Sequence, residues 1–441
     1  AHRHAIPQVS EYLSGGQADI IKLLLGGQAE ANRSDRYLSW EKLRYHKAPE
    51  GLTLEEWWVG LKLNRLQGRR TIPATSTGGR QFSYVFNGLV QQALHRIDKQ
   101  AGGTLYSDAQ SPMSRAQGNF YLVSSLVEES IMSSVLEGAS VTRAAAKSMI
   151  RAGRAPLDDH ERMVLNNYHT MQQIKEWKDE PITPEKICAL HRIMTQDTLP
   201  PEKAGALREA ADNVRIENSI SGEVVHIPPP ADKLPERLQA LCDFAMESDE
   251  ENFTHPVLRA IIVHFWLAYD HPFVDGNGRT ARALFYWMML RHGFWLFEYV
   301  TISHQIYRNS KSYYTAFLDT EEDEGDLNYF ITDQLQTILR AISTLYEYMA
   351  RKESEQQKLL SGLHGSHRFN HRQKAVLISM LKNPDTAVTV AAHMREHGIV
   401  TQTARTDLAA LVDAGLLTCT KQGKGFLYAP VPGLANKLRT L

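Results

Sequence analysis

The chain has 441 residues, 43% of them hydrophobic and 22% charged, with a formal net charge of −1, the balance of an ordinary globular protein with room for two or three domains. No apolar run is long enough to cross a bilayer and no charged-then-apolar leader opens the sequence, so the expected location is the cytoplasm, with no membrane contact. Cys188, Cys242 and Cys419 are odd in number and far apart, which excludes a disulfide framework or a metal motif and leaves each as a small core residue.

Residues 1–110 read as mostly helical. Thr53-Leu-Glu-Glu56 has the form of a capping box opening a helix that carries Trp57 and Trp58. That pair, like Trp40 and Leu43, is expected in a core and not on a ligand. Ala74 to Arg80, which begins Ala-Thr-Ser-Thr-Gly-Gly, reads as a loop or mobile link. In the next region, 111–182, Leu122, Leu126, Ile131 and Val135 share one helical face, and Gly138 is a natural C-terminal cap just past Glu137. Thr183-Pro-Glu marks a helix start, and a helical core over 183–350 follows. Inside it, Asn213 to Ile216 and Glu223 to Ile227 are β-type runs. They predict a hairpin over 213–227, closed by the rigid Pro228-Pro229-Pro230. The acidic runs Glu247 to Glu251 and Glu321 to Asp326 read as solvated loops.

The densest chemistry lies in His271-Pro-Phe-Val-Asp-Gly-Asn-Gly-Arg-Thr-Ala-Arg282. Val257, Leu258, Ile261, Ile262, Phe265 and Trp266 recur at helical spacing before it, and Ala281, Leu284, Phe285, Met288 and Met289 after it. The segment is therefore a helix–loop–helix whose loop feeds a helix N-terminus. Gly276 and Gly278 leave their amides uncovered at the positive end of a helix dipole, a ready site for phosphate.

At every fixed position this segment matches the signature of Fic-domain proteins, His-Pro-Phe-x-Asp/Glu-Gly-Asn-Gly-Arg-x-x-Arg. The resemblance implies a mainly α fold and an enzyme that moves AMP from ATP, with Mg²⁺, onto a Ser, Thr or Tyr hydroxyl of a target protein. His271 is then the general base and Asp275 the Mg²⁺ ligand between the α- and β-phosphates. Asn277 and the Gly276 and Gly278 amides cradle phosphate oxygens, while Arg279 and Arg282 neutralise the outer phosphates. Phe273 anchors the loop in the core. Relatives that transfer phosphate depart at the glycine and arginine positions, which are retained here.

Ser133-Ser-Val-Leu-Glu137-Gly138 fits the inhibitory pattern of the same family, Ser/Thr-x-x-x-Glu-Gly/Asn. There the glutamate pairs with the second arginine, here Arg282, and occupies the seat of the γ-phosphate. The 213–227 hairpin corresponds to the family's flap. Val214, Ile216, Val225 and Ile227 would face a target segment that joins as an added strand, and Gly205-Ala-Leu-Arg208 resembles the lead into it. Family members wall the adenine pocket with aromatic side chains near Tyr313 and Tyr314, for which core packing is an equally good reading. Asp270 departs from the family, where a hydrophobic residue more commonly precedes the histidine.

After the polar linker 351–367, residues 368–441 hold ten Lys/Arg against four Asp/Glu, a net of about +6. The pattern resembles a winged helix-turn-helix: helices over Lys374 to Leu381, Thr389 to His397 and Thr401 to Ala414, then wing strands Leu416 to Thr420 and Phe426 to Tyr428. Gln402, Thr403 and Arg405 would lie near the start of the recognition helix, with Lys421 and Lys424 at the wing tip. DNA and a protein partner are both open occupants of this module, and homo-oligomers are compatible with the chain. Three functions follow: a self-inhibited adenylyltransferase, a hydrolase using Glu137 to remove AMP, or a DNA-binding regulator whose Fic core senses nucleotide. His271 favours enzymes over the sensor, which would need no general base.

Overall fold

A computed structural model describes residues 4–14, 22–24, 37–102, 115–217, 222–248, 253–366, 368–382, 386–422 and 425–439. They divide into two compact units, the first of residues 1–110 and 121–343, the second of 111–120 and 344–441. The fold is mainly helical, with short antiparallel strand pairs. Among the described residues no helix is long and apolar enough to cross a membrane.

The first unit is built around two successive helices, Pro256–Asp270 and Asn277–Arg291, which pack along their length. Nearly every residue of both is buried, from Val257 and Leu258 through Phe265 and Trp266, and from Ala281 through Met289. A helix apolar on all sides must sit inside others. The helices Asp159–Trp177, Pro184–Met194 and Leu234–Met246 surround the pair.

Local signals account for several boundaries. Thr53 Oγ1 accepts from the Glu56 amide at 3.1 Å and the Glu56 carboxylate accepts from the Thr53 amide at 2.7 Å, an arrangement that stabilises a helix start by about 1 kcal/mol. Trp57 and Trp58 behind this cap are buried with Trp40 and Leu43. Thr183 caps the Pro184–Met194 helix, with Pro184 in the first turn.

Four expectations need correction. Residues 69–85 are not helix but a hairpin, β1 (Arg69–Thr75) antiparallel to β2 (Gln81–Val85), and the expected loop at 74–80 is its turn over 76–80. β1 alternates, burying Ile72 and Ala74, a period-2 pattern that Pro73 and the Gly-rich turn disguise, and β2 buries Phe82, Ser83 and Tyr84 in succession. The 351–367 linker is helical as far as Gly365, because the Asn328–Gly365 helix continues through it; the segment is rich in Glu, Gln, Lys and Leu, which are strong helix formers. The acidic run near 321–326 is no solvated loop. Asp323 takes Lys62 Nζ at 2.7 Å and Asp326 takes the Tyr37 hydroxyl at 2.6 Å, both buried. Cys419 is exposed, whereas Cys242 is buried and Cys188 half-buried.

The flap is present but shorter than expected. β3 (Ile216–Glu217) and β4 (Val224–His226) pair antiparallel, Ile216 opposite His226. Val214 precedes the strand because Asn213 adopts a left-handed conformation closing a 3-10 turn. Ile227 follows β4 and is exposed, and Val225 is half-buried. Ser219 and Ser221 lie outside the described residues.

In the second unit, helices His371–Lys382, Val390–His397 and Thr401–Asp413 cover a three-stranded sheet. Its order is β5 (Val388–Thr389), β7 (Gly425–Pro430), β6 (Leu417–Gln422). Leu377, Met380, Leu408, Leu411, Leu416, Leu417 and Tyr428 form its core. On the Thr401–Asp413 helix Gln402 and Arg405 are exposed and Thr403 is half-buried. Lys421 is exposed on β6, and Lys424 lies outside the described residues.

Candidate active site

The Pro256–Asp270 helix ends at His271, whose φ of 47° puts it in the left-handed region. This turn stops the helix and presents the imidazole at its end. His271 Nδ1 donates to the Ala268 carbonyl at 3.3 Å, which leaves Nε2 as the bare acceptor. Burial lowers its pKa to about 4, Ala268 and Glu137 opposing the drop, so the ring is neutral and able to take a proton at neutral pH. Arg208 holds the same turn, donating Nε to the His271 carbonyl at 2.8 Å and Nη2 to the Pro229 carbonyl at 2.6 Å. It therefore ties the turn at His271 to the base of the β3–β4 hairpin.

Asp270, the unusual residue before the histidine, is buried and structural. Its carboxylate accepts from Arg237 at 2.6 Å and from Trp266 Nε1 at 3.0 Å. Arg237 also donates to Thr75 at the end of β1, so Asp270 fixes the C-terminal turn of the helix against the hairpin.

The loop closes on itself through Asn277. Its side-chain oxygen accepts from the Phe273 amide at 2.9 Å and its Nδ2 donates to the Phe273 carbonyl at 2.8 Å. Asn277 therefore shapes the loop with its side chain, while its backbone N–H lies in the first turn of the helix. Phe273 is fully buried and stacks on His191 with ring centres 3.7 Å apart. Gly276 (φ 78°) caps the Asn277–Arg291 helix, and a Cβ there would stand 3.0 Å from Thr195 and 3.3 Å from His191 Nε2. A side chain would be both strained and crowded at this position.

Asp275 is 57% exposed and pairs with Arg279 Nη2 at 3.1 Å. Among the described residues there is no group of three or more His, Cys, Asp or Glu that could hold a metal. A lone carboxylate beside a phosphate nest fits Mg²⁺, which takes its remaining ligands from nucleotide oxygens and water. Arg279 is buried; burial lowers its pKa, and among the described residues Nε and Nη1 have no partner.

Arg282 reaches the other way. Nη2 meets Glu137 Oε1 at 2.9 Å and the Ser133 carbonyl at 2.9 Å, and Nε meets Ser133 Oγ at 3.0 Å. Burial opposes its charge, but Glu137 outweighs it and raises the pKa. Gly138 (φ 90°) turns the chain immediately after Glu137. A Cβ on Gly278 would stand 2.3 Å from Glu137 Oε1, so the carboxylate lies directly over the first turn of the helix, where its amides favour an anion.

The two tyrosines separate. Tyr313 is buried, and its hydroxyl shares a hydrogen bond with His264 Nε2 at 3.0 Å, so it packs the core. Tyr314 is 53% exposed, and its hydroxyl pKa is raised by burial and by Glu137. At the flap, His226 bridges Glu321 at 2.9 Å and the Tyr269 carbonyl at 2.8 Å. His191, His226 and Arg237 were not singled out in the sequence, since each acts across the fold and none belongs to a short motif.

Residues 181–289 match the model of the Fic/DOC family. The protein adenylyltransferase Fic of Nematostella vectensis is 30% identical over 215 residues, covering 47% of this chain and 46% of that protein. Its namesake in Drosophila mojavensis is 31% identical over 202 residues, 44% of this chain and 36% of that one. The chain thus spans less than half the length of these curated relatives. A Fic family protein from Desulfovibrio desulfuricans shares the fold, with a TM-score of 0.51 at 17% identity over 79% of this chain and 97% of that one.

Proposed function

We propose that the first unit is a protein adenylyltransferase restrained by its own Ser133–Gly138 segment. The observation that carries the reading is a carboxylate, Glu137, lying on a helix N-terminus next to a neutral histidine. An anion seat beside a base is what adenylyl transfer needs. A hydroxyl oxygen of the target attacks the α-phosphorus and gives its proton to His271 Nε2. The bond from the α-phosphorus to the bridging oxygen breaks, and pyrophosphate leaves with that electron pair. Asp275 would hold Mg²⁺, which neutralises charge on the phosphates. The Gly276, Asn277 and Gly278 amides and Arg279 bind phosphate oxygens.

Glu137 restrains the enzyme in two ways. It takes Arg282 away from the outer phosphates, and its charge repels an anion from the seat it covers. The flap strands β3 and β4 offer the edge on which a target segment would dock.

The test uses α-labelled ATP and Mg²⁺ with wild type, Glu137→Gly and Glu137→Gly/His271→Ala. Labelling should rise at least tenfold in Glu137→Gly and fall by 10²- to 10⁴-fold when His271 is also lost, the range for a positioned base. Equal labelling with and without His271 refutes the base assignment. Bound ATP with no label in any variant sends the site to the hydrolytic reading, in which Glu137 serves removal of AMP.

For the second unit we propose a winged helix-turn-helix that binds DNA, supported by its net positive charge and by Gln402 and Arg405, exposed in the first turns of the Thr401–Asp413 helix. Fluorescence anisotropy should show duplex affinity that weakens steeply with salt. No affinity at low salt makes the module a protein-docking one.

A further inference from the structure

The imidazole of His191 is fully buried beneath the signature loop, and both of its nitrogens are committed. Nδ1 accepts from the Gly205 amide at 2.9 Å, which obliges Nε2 to carry the proton, and Nε2 donates to the Asp275 carbonyl at 2.8 Å. Its face lies on Phe273, the planes 6° apart. The ring is therefore fixed in position, tautomer and tilt.

The consequence lies in the peptide it holds. In a planar trans peptide the carbonyl and the following N–H point in opposite directions. Pulling the Asp275 carbonyl inward onto His191 aims the Gly276 N–H outward, into the mouth of the nest. Gly276 tolerates either orientation of that peptide, because it carries no Cβ to forbid the flip. Something outside the loop must choose, and the hydrogen bond from His191 is the contact that does so.

Resting on the nucleotide-binding reading above, we infer that His191 is a positioning residue. It latches the Asp275–Gly276 peptide so that the Gly276 amide and the Asp275 carboxylate face the phosphates and their Mg²⁺. It touches neither nucleotide nor target. At neutral pH it acts only through its fixed Nε2 proton.

The test compares full-length Glu137→Gly protein with His191, His191→Phe, His191→Met and His191→Gln. Phenylalanine keeps the stack and loses both hydrogen bonds. Methionine and glutamine are close in length, and only the amide of glutamine offers an acceptor and a donor. Calorimetric titration with ATP and Mg²⁺ should give a Kd raised about tenfold in His191→Phe and His191→Met, with His191→Gln within about threefold of the parent. With selective ¹⁵N-glycine labelling, the Gly276 amide resonance of the nucleotide-free protein should move in the Met variant and stay near the parent position in the Gln variant. The Met–Gln pair decides if the Phe variant does not fold. A merely structural role lowers affinity equally in Met and Gln, and that result, or an unmoved Gly276 resonance in Met, overturns the latch. A resonance that moves as expected in a parent that binds no ATP leaves the latch standing and removes the nucleotide reading instead.

Discussion

Arg279 in the signature loop and Asp407 in the second unit are both buried charges, and they are treated in opposite ways. Asp407 is fully provided for: Arg372 donates at 2.6 and 3.1 Å, Asn370 at 2.7 Å and His393 at 3.3 Å. Burial pushes its carboxyl up, but those partners outweigh it and hold it down to about 2. Among the described residues Arg279 has one partner, the exposed Asp275, while Nε and Nη1 sit buried with no acceptor. A buried ion left short of partners costs folding free energy. The C-terminal network closes on itself, whereas the loop keeps donors uncommitted, as the proposed anion site requires.

Replacing each charge should separate the two roles. Arg279→Met fills the same space without the unsatisfied guanidinium. Labelling in the Glu137→Gly background should drop by about 10²- to 10³-fold, as for loss of one preorganised donor, while the melting temperature stays level or rises. A fall in stability with little loss of labelling would make Arg279 structural and end the contrast. Asp407→Ala should do the reverse. Removing one side of a buried charge network costs about 3 kcal/mol, to be read as faster hydrogen exchange in the Thr401–Asp413 helix and β7. Labelling by the first unit should stay within twofold.

The same contrast explains what could be read from sequence. The loop was legible because its chemistry is contiguous: His271, Asp275, Gly276, Arg279 and Arg282 fall within twelve residues, each with a recognisable task. The Ser133–Gly138 segment was legible only through the resemblance, since its contact with Arg282 spans 145 positions. The closure of the Asn277 side chain on Phe273 is an additional, structural task that the motif does not announce. The β1–β2 hairpin escaped because Pro73 and two glycines resemble a linker, although its buried alternation was present in the residues. His191 and Arg237 carry no local signal. His191 meets the backbone carbonyl of Asp275, and Arg237 meets the Asp270 carboxylate and Thr75, partners far along the chain that no spacing rule can supply.

The smallest effect expected concerns acid. Burial lowers the pKa of His191 to about 4, of His264 to about 3 and of His271 to about 4. Each is harder to protonate in the folded chain than in the unfolded one, whose histidines titrate near 6.5. Above that pH both states are neutral and nothing is lost. As pH falls from 6.5 toward 4, the unfolded chain takes up protons that the folded chain refuses, so stability declines across that window and this contribution levels off below it. For one such ring the loss between pH 6.5 and 5.5 is about 1 kcal/mol. His191→Met removes that ring from the titration. Its denaturation free energy should therefore decline less over this interval, by about 1 kcal/mol, than that of the parent, whatever the absolute stabilities. An identical slope in both proteins would mean that His191 takes up its proton in the folded state as readily as in the unfolded one, which its two committed nitrogens forbid.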